Sequence, residues 1–155
     1  MPRTKILTMA ISALVLLVLL GAVSISCAGP ASAYDGQRLG DCPSSPNCVC
    51  SEVDPAAAAY VAPWPIPHEV TPEAAFEALA GLVSDQAVIQ TREAQYFHAV
   101  FTTRWLRFKD DLEARLDPAA RVIHVRSASR LGHSDFGANR ARVNKLRAAL
   151  TDSLQ

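Results

Sequence analysis

Apolar and polar residues alternate most cleanly between Phe108 and Leu116, where Phe108, Leu112, Ala114 and Leu116 share one side and Lys109, Asp111, Glu113 and Arg115 the other. A two-residue period sends successive side chains to opposite faces, so this segment reads as a strand with one face on a core. Asp110 breaks the rule by placing a carboxylate on the apolar side. Asp117-Pro118-Ala119-Ala120 carries turn chemistry, and Arg121 to Ser129 returns as the partner strand, with Ile123, Val125, Ser127 and Ser129 inward. The register is open by two residues. Asp110 then stands opposite Ser127 or Ser129, and Arg126 opposite Asp111 or Glu113.

Upstream, Ala87 to Thr91 and Tyr96 to Thr103 are rich in aromatic and β-branched residues and flank a short polar turn, as in a hairpin. Thr71 followed by Pro72 is a helix start, and Phe76, Leu79, Ala80 and Val83 keep helical spacing after it. A last helix is expected from about Gly137 to Leu150, capped by Ser134 or Asp135, with Asn139, Val143, Leu146 and Leu150 on its sheet-facing stripe. The segment RLGDCPSSPNCVCSE, dense in proline and cysteine, is expected to hold no regular element. Val53 to His68 carries Pro55, Pro63, Pro65 and Pro67 around Trp64, which predicts an extended, polyproline-like path anchored by that tryptophan. The expected fold is α+β. It is a small antiparallel meander of about four strands, flanked by an N-terminal and a C-terminal helix, with a Pro-rich extended arm.

Arg3 and Lys5 precede an uncharged, mostly apolar run from Ile6 to Ser26, long enough as a helix to span the roughly 30 Å of bilayer hydrocarbon. Three outcomes fit such a leader. Cys27 follows the run as a lipidation candidate, although Ser24 stands where a lipobox usually has leucine; Ala31-Ser32-Ala33 offers a cleavage site; or the run stays as an uncleaved anchor. Each exports the rest of the chain. The expected organisation is a leader or anchor over 1–27, a tether over 28–37 and a single domain over 38–152, on the extracytoplasmic side of a bacterial membrane.

Cysteine usage agrees with an oxidising compartment, since Cys42, Cys48 and Cys50 crowd one loop. Their spacing favours a bridge from Cys42 to Cys48 or Cys50. A zinc site would need a fourth ligand, for which His68 is the nearest candidate, so no metal is expected. No cofactor is expected either. The formal net charge is +0, which argues against nucleic-acid binding. Charge is segregated, however: thirteen acids and six bases lie between Tyr34 and Ala120, while seven bases and two acids follow from Arg121. The basic end is expected to fold onto the acidic middle.

The candidate site is the polar junction between the last strand and the last helix. Asp110, Ser127, Ser129 and Asn139 should converge at one end of the sheet, with Arg126, Arg130, Arg140 and Arg142 around them and Ser134 and Asp135 in the connecting loop. Buried polar groups need partners, so this is a satisfied network or a wetted pocket. In the structural reading Asp110 pairs an arginine, bonds the serines and fixes the loop from Leu131 to Phe136. In the binding reading, uncapped helix amides and guanidinium groups hold a carboxylate, phosphate or sulfate. A third reading makes Ser129 or Ser127 a nucleophile with His133 or His124 as base, but no nucleophile-elbow motif supports it. The default for His98 and His124 is an ordinary strand position.

Three stretches, RLGDCPSSPNCVCSE, RFKDDLEARLD and VIHVRSASRLGHSDFGANRARV, resemble the bacterial and plastid domain of unknown function family 1499, over roughly Leu39 to Leu150. Matching positions include Cys42, Asn47 and Cys48, then Asp110, Asp111 and Glu113, then Arg126, Ser127, Ser129, Arg130, Ser134, Asp135, Asn139 and Arg140. Cys50 departs from the serine usual there. The resemblance implies an envelope role and supplies no reaction. The expected function is therefore a membrane-held binding or assembly module for an anionic small molecule, a lipid headgroup or an envelope protein. A hydrolase using Ser129 and a purely structural envelope protein are the alternatives.

Overall fold

The computed structural model describes residues 9–17 and 32–155. Residues 9–17 are helical and exposed. No helix among the described residues is long and apolar enough to cross a membrane. Cys27, Ala31 and both ends of the expected leader lie outside the described residues.

Eight elements follow: β1 (Cys48–Cys50), β2 (Trp64–Pro65), α1 (Pro72–Ser84), β3 (Val88–Arg92), β4 (Tyr96–Thr102), β5 (Lys109–Asp117), β6 (Val122–Ser129) and α2 (Ala138–Ser153). The strands make one antiparallel sheet in the order β1-β6-β5-β4-β3, and β2 continues the β1 edge by pairing with the other end of β6. The expected meander is thus β3 to β6, and the fold is α+β.

Two further strands come from the arm, where none was expected. Cys48–Cys50 holds no proline, and Trp64–Pro65 adds just two residues opposite Ile123 and Val122. Without them the outer edge of β6 would leave its amides and carbonyls unpaired. The proline of β2 is tolerated because it sits on that edge.

Thr71 caps α1 by accepting a bond from the Ala74 amide at 3.2 Å, with proline in the first turn. Phe76, Leu79 and Val83 of α1 and Val143, Leu146 and Leu150 of α2 pack in one cluster with Phe97, Leu112, Leu116, Ile123 and Val125 of the sheet. Each such side chain contributes about 1.5–3 kcal/mol when fully buried. Trp64 is buried in the same cluster, as the anchor it was expected to be.

The β5–β6 register puts Asp110 opposite Ser129 and Glu113 opposite Arg126. Phe108 lies just before β5 rather than within it, half-buried at the turn. The opposite face of the sheet departs most from expectation. Asp111, Glu113 and His98 point away from the helices yet are buried, because residues 32–53 fold across them. Tyr34 stacks on Tyr96 with ring centroids 4.1 Å apart, and Leu39, Cys50 and Tyr96 form a second apolar cluster. The Cys42–Cys48 disulfide closes the loop before β1, leaving Cys50 as a buried thiol whose pKa burial pushes up.

Candidate functional site

At the end of the sheet nearest the β4–β5 turn, Asn139 in the first turn of α2 joins the junction together. Its side chain reaches down from the helix: Oδ1 accepts from Ser127 Oγ at 2.6 Å and from Arg142 Nη1 at 2.6 Å. Nδ2 lies within bonding distance of Ser129 Oγ (3.0 Å), the Asn47 carbonyl (3.0 Å) and Asp135 Oδ2 (2.8 Å). Arg142, one turn on, donates Nη2 to Asp110 Oδ2 at 2.5 Å and Nη1 to Ser127 Oγ at 3.0 Å. The expected convergence of Asp110, Ser127, Ser129 and Asn139 is present, with one correction. Asp110 reaches the serine through Arg142 and does not bond it directly, because the guanidinium fills the space between them.

The helix N-terminus is already occupied. Gly137 holds the cap position at φ 82 with no side-chain cap of its own. Asp135 instead accepts from the Gly137 amide at 3.0 Å and the Asn139 amide at 2.8 Å. Burial alone would raise the Asp135 pKa, but these amides and the Asn139 side chain outweigh it and the carboxyl is held below its usual value. The uncapped amides of the binding reading are therefore satisfied from within. Ser134 does less: among the described residues its side chain accepts from the Phe136 amide alone, at 3.2 Å.

Every junction arginine has an internal acceptor. Arg126 Nη1 donates to Glu113 Oε2 at 2.9 Å, and Arg130 grips Asp111 through Nε at 2.9 Å and Nη2 at 2.7 Å. Arg140 ties α2 to the arm through the carbonyls of Tyr60 (3.0 Å) and Ala58 (2.6 Å). The basic end of the chain has indeed folded onto the acidic middle.

Sequence reasoning missed the depth of the outer-face network. His98 Nε2 lies 2.6 Å from Asp111 Oδ1. Burial would raise the Asp111 pKa, yet His98 and the two-pronged Arg130 contact more than offset it, so the carboxyl is lowered. Glu113, with 0% of its surface exposed, accepts from Tyr96 Oη, Ser32 Oγ and the Ala33 amide, all at 2.9 Å. Burial raises the Tyr96 pKa. Asn47 was missed as well: its Nδ2 donates to the Gly132 carbonyl at 2.6 Å, and its own carbonyl accepts from the Ser129 amide at 3.0 Å. An asparagine directly after Pro46 was the available signal.

Ser129 and His124 are kept apart. Five positions separate Ser129 from His124 on β6, an odd spacing that puts them on opposite faces. His124 Nδ1 lies instead 3.3 Å from Ser51 Oγ. Burial lowers the His124 pKa, against the pull of Glu52. Among the described residues neither His124 nor His133 bonds Ser129, so the pair expected at Ser129 is not formed there.

Of the recesses beside the network, two lie at the end of the sheet nearest the β4–β5 turn. On the helix side, a recess of about 240 Å³ runs between the β4–β5 turn and the loop before α2, lined by Asp110, Ser129, Ser134 and Asp135 below and by Phe108 and Phe136 at its rim. On the outer face, a recess of about 250 Å³ is lined by Val88, Gln90, Val100, Thr102, Arg107, Lys109 and Arg130, with no carboxylate among its described lining residues.

These features define an α+β domain whose antiparallel sheet carries helices on one face and a buried charge-paired network on the other. The chain belongs to the family described as Protein of unknown function (DUF1499), whose model matches residues 38–150. No curated protein and no solved structure matches it.

Proposed function

We propose that this protein is a non-catalytic binding module, exported and held at the outer side of a bacterial membrane by a Cys27-linked lipid or a retained N-terminal helix, and that it recognises an anionic group. The observation that carries this reading is the outer-face recess, where Arg107 and Lys109 stand beside Arg130 with Thr102 and Gln90 as further donors and no acid among the described lining residues. Guanidinium and ammonium donors converging on one concavity favour a phosphate or carboxylate. The polar junction supports the recess from behind, since Asp111 orients Arg130. Asp110 and Asp135 make the helix-side recess a poorer place for an anion.

Inorganic phosphate tests this on the full chain in nonionic detergent. Phosphate should raise the melting temperature above that in sodium chloride of equal ionic strength, by an amount that grows with concentration. Arg107→Gln combined with Lys109→Gln should abolish that rise while the melt without phosphate stays cooperative. An identical phosphate response in the double variant would remove the recess from consideration.

A further inference from the structure

We infer that the tip formed by the β4–β5 turn and the loop before α2 docks onto an anionic lipid bilayer, with Trp105, Leu106 and Phe136 entering the headgroup region. This deepens the proposed function and rests on its reading of this end of the sheet as the recognition face.

Three large apolar side chains stand in solvent here: Trp105 is 85% exposed, Leu106 54% and Phe136 99%. They belong to one tip. Thr102 pairs with Lys109 and Asp110 with Ser129, so the turn and the loop leave the sheet at the same end, and the helix-side recess bridges them through Phe108 and Phe136. Phe136 also holds φ at 53, a left-handed backbone costly for a bulky residue, while the residue stays almost fully exposed. Connections between strands are ordinarily polar, and a Trp-Leu pair at the head of one has no folding role to explain it.

Cations surround the apolar residues. Arg104 and Arg107 flank Trp105-Leu106 and are exposed, Arg104 sits 5.4 Å from the centre of the Trp105 ring, and Lys109 follows. No acid occurs between Thr102 and Lys109. Tryptophan at the headgroup level with arginine and lysine beside it is the composition of a membrane interface, where the rings are half-immersed and the cations meet anionic headgroups. A second copy of this chain would bring like charges together. A protruding tip also lacks the broad complementary surface, roughly 800 Å² per partner, of a stable protein interface.

The full chain, reconstituted into vesicles by its own leader, tests the inference through tryptophan fluorescence. Trp64 is buried and provides a constant background, so changes report Trp105. Brominated acyl chains should quench Trp105 at least twofold more in vesicles of phosphatidylglycerol and phosphatidylcholine than in phosphatidylcholine alone. High salt should shrink that difference, as should Arg104→Gln with Arg107→Gln; Leu106→Ser with Phe136→Ser should at least halve the quenching. Equal lipid quenching in both vesicle types, or Trp105 fully open to acrylamide in anionic vesicles, would overturn the docking. Shielding from acrylamide without lipid quenching would overturn it in favour of a protein contact. A phosphate-dependent melting shift that persists in those cases keeps the recess and discards only the membrane. Lipid quenching without any phosphate shift keeps the docking and discards the recess.

Discussion

Leu112 and Glu113 are consecutive in β5, and both are wholly buried, yet they are buried by different physics. Leu112 faces two helices and is held by the transfer of apolar surface from water, a force that is non-directional and not screened as an ion pair is. Glu113 faces the arm and is held only because four donors from three separate segments meet its two oxygens. The lesson is that one sheet can be closed on one face by area and on the other by stoichiometry. The second face tolerates far less, since a single lost partner strands a charge.

Breaking the outer face at its centre should have the largest effect. Glu113→Ala leaves the largely covered Arg126 without its carboxylate and should cost about 3–5 kcal/mol in urea denaturation. The paired change Glu113→Leu with Arg126→Met should recover most of that loss, because it removes both charges together; failure to recover would mean that the arm contacts, rather than the ion pair, hold this face. Leu112→Ala, one residue away, should cost about 2–5 kcal/mol, with no comparable rescue and no dependence on ionic strength.

Acid separates the two faces further. His124 has its folded pKa depressed, so below the ordinary value of 6.5 the unfolded chain takes up a proton that the folded chain refuses, and stability declines as pH falls from there. Asp111 is also depressed; its contribution is complete above the ordinary 3.8 and is lost as pH falls through its lower folded value. Melting temperature against pH should therefore fall in two steps. Asp111→Asn should flatten the lower one, and Leu112→Ala should leave both in place. The smallest effect is expected at the helix terminus: Asp135→Ala removes an amide acceptor from the first turn of α2 and should cost about 1 kcal/mol. A loss several times larger would place Asp135 among the supports of the whole junction through its contact with the Asn139 side chain.

Much of the inner face was legible in the chain. The two-residue period of β5 and β6 placed Leu112, Ala114, Ile123 and Val125 inward, Thr71-Pro72 set the start of α1, and the stripe of Asn139, Val143, Leu146 and Leu150 aimed α2 at the sheet. Asp110, Ser127, Ser129 and Asn139 could be gathered at one end for the same reason, since strand and helix periods depend only on local backbone geometry. Long-range pairing carries no such local signature. Which of two registers β5 and β6 adopt, that Cys42 bridges Cys48 rather than Cys50, that Cys48–Cys50 and Trp64–Pro65 complete the edge of β6, and that residues 32–53 bury His98, Asp111 and Glu113 were decided only in three dimensions. A charged residue at an outward strand position looks the same in sequence whether water or another segment covers it; the fold supplies the cover and, with it, the partners that make the burial stable.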